Sequence, residues 1–255
     1  VLSPESYGLI DGGPNERRKY LDWCLFHVEH SYHHSWKSYV AILKQRNALL
    51  RQSKGNLNSA QLAPWDAQLC EHANVIQLSR KSMLKRLQVL FDEVMAGLNV
   101  DLDGEVTLSY YAGYAGELKD KLSENLALDS ASGFTRSGPH KADLRIKVNG
   151  QLARDVLSRG QKKLLINALY LAQTRLLESQ TQGHSLFIID DFSSELDSAN
   201  QIALLETLLG QERVQIILSC LQLDSLNWLK TRYNRANMFH VEHGDITPLV
   251  SDETS

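Results

Sequence analysis

Apolar residues in the first half of the chain recur at threes and fours, the spacing that lines one face of a helix. The segment DGGPNERRKYLDW carries a Gly-Gly-Pro turn and a charged helix start, and the pattern stays helical from about Asn15 to Tyr32. Trp36, Val40, Leu43 and Leu50 share a face, which predicts a second helix running to about Gln52. SKGNLNSAQLA interrupts it, and Pro64 suits the first position of the next helix. There Leu69, Ala73, Ile76, Met83, Leu87, Leu90 and Val94 form a long seam near coiled-coil spacing, broken by Arg80. Alternation in EVTLSYYAGY, from Glu105 to Tyr114, predicts a strand, and a short helix from about Glu117 to Leu128 comes after it.

After DSASGFTRSG the texture changes. ADLRIKV, Ala142 to Val148, alternates as a strand and is turned by Asn149-Gly150. A helix is expected from about Arg159 to Ser179. SLFIID and RVQIILS are continuous apolar runs, as in parallel strands buried on both faces. A helix from about Ser198 to Leu209 lies between them and completes a β-α-β unit, and NMFHVEHGDI reads as a closing hairpin. The first half is thus mainly helical and the second α/β.

Composition narrows the class. The 255 residues are 43% hydrophobic and 22% charged, as in an ordinary globular protein with a real core. No apolar run is long enough to cross a bilayer, and the N-terminus lacks the pattern of a signal peptide, so a cytoplasmic protein without membrane contact is expected. Three separated cysteines, Cys24, Cys70 and Cys220, suit a reducing compartment and give neither a disulfide framework nor a cysteine zinc site. The net charge of −3 leaves nucleic acid open, since a local patch can be basic in a slightly acidic chain.

Two stretches carry chemistry. LFIIDDFSSELD drives Asp190 and Asp191 out of the end of a buried strand. In open α/β sheets ligands bind at that end. One carboxylate there can hold Mg²⁺, which keeps most of its waters, and a second can orient or deprotonate an attacking water. The plainer alternative is that Asp190 opens a turn and Asp191 caps the next segment. Upstream, DVLSRGQKKLLINALYLAQ places Ser158 as a helix cap and Gly160 in the first turn, a start that can bind phosphate through free N–H groups and the helix dipole, with Lys162 and Lys163 adding charge. Ser-x-Gly can equally be a cap and nothing more.

These segments resemble motifs of ABC-type ATPases: LSRGQ the signature, LFIIDD the Walker B strand, and Ser194-Glu195-Leu196-Asp197 the D-loop. More narrowly the chain is similar to the RecF family of the SMC-like group. PESYGLIDGGPNERRKYLD, GPHKADL and FIIDDFSSELD keep that family's order, with Asp-Asp where most ABC ATPases have Asp-Glu, and Asn200 departs from its preference for a basic residue. The resemblance implies an α/β fold: an ABC-type ATPase head, here the C-terminal part of a P-loop NTPase lobe, with an inserted mainly helical lobe. Residues 1–14 would end the N-terminal part of the ATPase lobe, 15–130 form the helical lobe with a short coiled-coil-like arm, and 131–255 carry the signature, Walker B and D-loop motifs.

The same resemblance implies ATP and Mg²⁺ as cofactors of the intact protein. Two subunits would sandwich ATP head to tail, with Asp190 helping to hold Mg²⁺ and Asp191 positioning the water. Ser158, Gly160 and Gln161 of the opposite subunit would approach the γ-phosphate, and the Asp197 loop would cross the interface. The function implied is a DNA-repair, replication and SOS-response mediator that recognises gapped DNA and, with RecR and RecO, loads RecA. No Gly-x-x-x-x-Gly-Lys-Ser/Thr loop occurs in the 255 residues. The chain therefore reads as lacking roughly the family's first hundred residues, and on its own is expected not to hydrolyse ATP. A DNA- or protein-binding module without nucleotide turnover is the alternative. A transporter's nucleotide-binding subunit fits less well, given the Gly-Gly-Pro-Asn-Glu-Arg-Arg segment.

For DNA, Lys37, Lys44, Arg46, Arg51 and Lys54 fall in a stretch without carboxylates, and Arg80 and Lys81 lead a second cluster with Lys85 and Arg86. Such side chains neutralise phosphates, though each cluster can equally be a solvated helix face. Arg17 and Arg18 suit either DNA or structural ion pairs, and any DNA contact should be backbone-directed. His27, His30, His33 and His34, with His240 and His243, have spacings that can ligate zinc but lack the zinc-protease pattern.

Overall fold

A computed structural model of the chain describes residues 1–52, 58–98, 102, 104–181, 183–194, 196–211, 213–221 and 237–249. After a 3-10 turn, Pro4–Leu9, helix α1 spans Pro14–Val28, with Pro14 at its first position, where a missing N–H costs no bond. Glu29 is extended (φ −132°, ψ 96°), and α2, His30–Gln52, begins beyond it. The first of the two expected helices therefore ends at Val28 and not near Tyr32, and the second starts at His30, with the break at a residue that is neither Gly nor Pro. Helix α3 spans Ser59–Leu98; its 40 residues make it about 60 Å long.

Pro64 lies inside α3, not at its start. Asn58 sets the start instead: its side-chain oxygen accepts the Gln61 N–H at 3.0 Å, and the Gln61 side chain accepts the Asn58 N–H at 3.1 Å. Tyr32 meets Arg80 and Arg46 meets Asp66, so α2 and α3 run antiparallel against each other.

Strands β1 (Val106–Tyr111), β2 (Asp143–Val148) and β3 (Gln151–Leu152) form an antiparallel sheet, registered from Val106 opposite Val148 to Tyr111 opposite Asp143. The β2–β3 turn needs left-handed backbone at both central residues, and Asn149 (φ 48°) and Gly150 (φ 82°) supply it. Between β1 and β2 lie α4 (Leu118–Glu124), α5 (Leu126–Ser132) and a 3-10 turn, Pro139–Lys141, so the one helix expected from Glu117 to Leu128 is two.

After α6 (Ala153–Val156), α7 (Arg159–Glu178) runs through the centre of the molecule. Strands β4 (Ser185–Ile189) and β5 (Val214–Leu218) are parallel, with α8 (Ser198–Leu209) as the crossover. Leu2 borders β4 on its other side: its N–H donates to the Ile188 carbonyl at 2.7 Å and its carbonyl accepts the Asp190 N–H at 2.9 Å. β6 (Phe239–Glu242) and β7 (Asp245–Pro248) are the hairpin expected from the sequence. One apolar cluster reaches from Leu2 to Leu208, and α3 lies at its middle, packed on α2, α7, α8 and β1.

Candidate functional site

The apolar run of β4 ends at Asp190, whose side chain is exposed, and Asp191 beyond it is half-buried. A residue of the neighbouring strand's end fixes both. Ser219 Oγ donates to Asp190 Oδ1 at 2.7 Å and accepts the Asp191 N–H at 2.9 Å. Asp191 is held in the left-handed region, φ 50°. The donor set at Asp190 is oxygen only, with one carboxylate oxygen engaged by Ser219. This fits a hard cation that keeps most of its water shell.

The start of α7 has a different character. Ser158 caps it: its Oγ accepts the Gln161 N–H at 3.3 Å, and the Gln161 side chain accepts the Ser158 N–H at 3.0 Å. The first intrahelical bond is made by Lys162 to the Ser158 carbonyl. The Arg159 and Gly160 N–H groups thus stand at an exposed helix start, where an anion is favoured. Lys162 pairs with Asp11 at 2.6 Å.

Lys163, next along, is buried. Its ammonium donates to the Asp191 carbonyl at 2.8 Å, the Ser194 carbonyl at 2.7 Å and the Ser194 hydroxyl at 3.0 Å. One lysine therefore joins the serine-capped helix to the acidic strand tip. From the other side Gln201 donates to the Ser193 and Leu196 carbonyls. Asp197 caps α8, accepting the Asn200 N–H at 2.8 Å and the Asn200 side-chain amide at 2.9 Å. Leu196 is buried beneath the loop, and Glu195 lies outside the described residues.

The structure thus brings Asp190, Asp191, Ser194 and the α7 start onto one scaffold. Ser219 and Gln201 have no mark in the sequence beyond position, and Lys163, read there as charge for a phosphate at the helix start, is instead buried with its ammonium held by the Asp191 and Ser194 carbonyls. Ser219 sits just past a parallel strand's C-terminal end, and Lys163 is the inward member of a lysine pair.

Two of the DNA candidates must be corrected. Arg46 is wholly buried, donating to Asp66 at 2.6 Å and to Asp129 and Thr135 at 2.8 Å. Arg80 is buried as well, forked onto Asp22 at 2.8 and 2.9 Å and bonded to the Pro139 carbonyl at 2.9 Å. Their charges are consumed inside the fold and present nothing to a phosphate backbone. Lys37, Lys44, Arg51 and Lys81 are not buried in this way, and Lys54 lies outside the described residues. Arg17 takes the structural alternative, an ion pair with Asp143 at 2.7 Å, and Arg18 donates to the Ala142 carbonyl.

The Gly-Pro-His segment is a latch. His140 Nδ1 meets the Tyr39 hydroxyl at 2.7 Å and Nε2 meets the Thr135 carbonyl at 2.9 Å. Since a carbonyl only accepts, Nε2 carries the proton and Tyr39 donates to Nδ1. Burial lowers the imidazole to about 4. The histidines of HVEHSYHH lie on α1 and α2. Among the described residues no group of three or more His, Cys, Asp or Glu is arranged to hold a metal.

Comparison with known proteins gives one consistent group. The chain is 40% identical over 251 residues to the DNA replication and repair protein RecF of Stutzerimonas stutzeri (strain A1501), covering 98% of this chain and 66% of that protein. It is 39% identical over 249 residues to the protein of the same name from Pseudomonas putida (strain GB-1), again covering 66% of its length. In three dimensions it is similar to the recombination mediator protein RecF-ATP of the RecFOR pathway, with a TM-score of 0.78 and 26% identity over 98% of this chain and 66% of that one. The RecF-ATPrS structure of the same pathway gives 0.77 and 25%. No family model matches the chain.

Proposed function

The chain belongs to the RecF family of DNA replication and repair proteins, with its ABC-type ATPase fold, and from that footing we propose that it is the signature and Walker B portion of an ATP-dependent DNA-binding recombination mediator. The chain spans 66% of the length of its curated relatives. The solved relative bound to ATP supports nucleotide as the ligand, and its pathway name supports RecR and RecO as partners. Recognition of gapped DNA and loading of RecA complete the reading.

One observation carries it. Lys163 ties the Asp191 and Ser194 carbonyls to the helix whose exposed start is Ser158, while the Asp190 carboxylate remains exposed. Acidic tip and capped helix start are thus both accessible, as a nucleotide shared between two copies requires. Asp190 would hold the Mg²⁺ that accompanies the nucleotide; the ion supplies charge neutralisation at the phosphate oxygens. Asp191 orients a water and accepts its proton. Ser158 and the Gly160 N–H of a second copy meet the terminal phosphate at its far side. The Asp197 loop crosses between copies, so that DNA affinity tracks the nucleotide state. Residues 15–130 act as the helical lobe and 131–255 as part of the ATPase lobe.

The test is an anisotropy titration of full-length protein on gapped DNA, with and without ATP, alongside phosphate release. ATP should strengthen binding in the wild type, and Asp191→Asn should keep or prolong that binding while losing hydrolysis. Binding indifferent to ATP in both proteins overturns the reading.

A further inference from the structure

Exposed aromatic and basic side chains stand on the outer face of the antiparallel sheet and on the segment that leads into β2. Burial alternates along β1 and β2, so Leu108 and Ile146 face the core while Tyr111 and Arg145 face away. The Arg145 guanidinium lies over the Tyr111 ring, 4.7 Å from its centroid. Phe134 is 42% exposed and is flanked by two cations, Arg136 and Lys141, each 5.5 Å from the ring centroid.

The two clusters are neighbours. Gly113, just past Tyr111, packs so closely on the backbone of Gly138, Lys141 and Ala142 that a Cβ there would collide. Arg51, at the end of α2, reaches the Gly133 carbonyl at 3.4 Å and adds a further cation. Among the described residues Asp143 is paired with Arg17, and Asp129 shares Arg46 with Asp66. None of the ion pairs among the described residues is made by Arg51, Arg136, Lys141 or Arg145, so four unpaired cations gather here.

Unmatched cations draw phosphates, and exposed ring faces take bases. Here each ring already has a cation against it, so base and phosphate are served at one place. A duplex keeps its bases stacked within and offers the rings nothing. An acidic peptide would use the cations and leave the rings bare. We propose that this face binds single-stranded DNA, with bases on Phe134 and Tyr111 and phosphates at Arg136, Lys141 and Arg145. It rests on the DNA-directed reading above and supplies the site for the unpaired strand of a gap.

The test uses full-length protein with ATP, a labelled oligothymidine and a duplex of equal length. Phe134→Ala and Tyr111→Ala should each weaken oligothymidine binding roughly tenfold and leave the duplex unchanged. Phe134→Leu, which keeps an apolar side chain but removes the ring, should behave as Phe134→Ala, with melting temperature unaltered throughout. Arg136→Gln with Lys141→Gln should flatten the salt dependence by about 0.7 in log–log slope for each phosphate no longer neutralised. Oligothymidine binding that ignores the aromatic variants overturns this proposal while the gapped-DNA reading stands. Equal binding of polyglutamate, abolished by Arg136→Gln with Lys141→Gln, assigns the face to an acidic partner and also overturns it. A wild type that binds no DNA in any form removes the parent reading and this one together.

Discussion

At His140 the imidazole is neutral in the fold because burial drives it to about 4, well under the ordinary histidine value of 6.5. The unfolded chain therefore takes up a proton that the folded chain refuses between those two values. Stability from this group is complete above about pH 6.5 and is lost as pH falls toward 4, a change on the order of 3 kcal/mol. Urea midpoints at pH 7, 5 and 4 should fall more steeply for the wild type than for His140→Asn, whose amide cannot titrate. The Gly-Pro-His motif is visible in the sequence as a family mark. Its role is not, because Tyr39, the partner of Nδ1, is 101 residues away. The same holds for Arg46 and Arg80. A cation on a helix looks the same in sequence whether it meets water or a carboxylate from another element, and the break of the Leu69–Val94 seam at Arg80 is the one hint of an inward charge.

Elements are legible where local chemistry decides them. β2, α7, α8 and the β4–β5 pair stand within a residue or two of the positions their patterns predict. The Asn149-Gly150 turn belongs here too, since its two left-handed residues are dictated by residue type alone. A Cβ at Gly150 would meet nothing within 4 Å, so Gly150→Ala isolates the backbone cost of its φ of 82°. Thermal or urea denaturation should show a loss of about 1–2 kcal/mol. The elements that differ from expectation are those without punctuation. Glu29 parts two helices with no Gly or Pro, and Asn58 starts one ahead of a proline that is the more conspicuous local marker.

Across the whole molecule, buried arginines act as crosslinks between helices and sheet. Arg80 on α3 bonds Asp22 of α1, the Tyr32 hydroxyl of α2 and the turn that precedes β2. Removing only the cation strands a buried carboxylate, so Arg80→Met should cost about 3–5 kcal/mol. Arg80→Met with Asp22→Leu should recover most of it, which chemical denaturation of the four members of the cycle will show. The candidate site divides along the same line. Asp190, Asp191 and Ser158 are readable because a strand tip and a helix cap are local features. Lys163, Ser219 and Gln201 are not, since each acts by reaching another element.

The left-handed backbone at Asp191 bears on which acid evolution can place there. Short side chains of the Asp and Asn type tolerate that region best, and a longer glutamate lacks the local hydrogen bonding that makes it comfortable. Chain geometry, and not proton chemistry alone, thus accounts for a second aspartate after the strand. It also makes asparagine the cleanest probe: it silences the carboxylate and leaves the bend untouched.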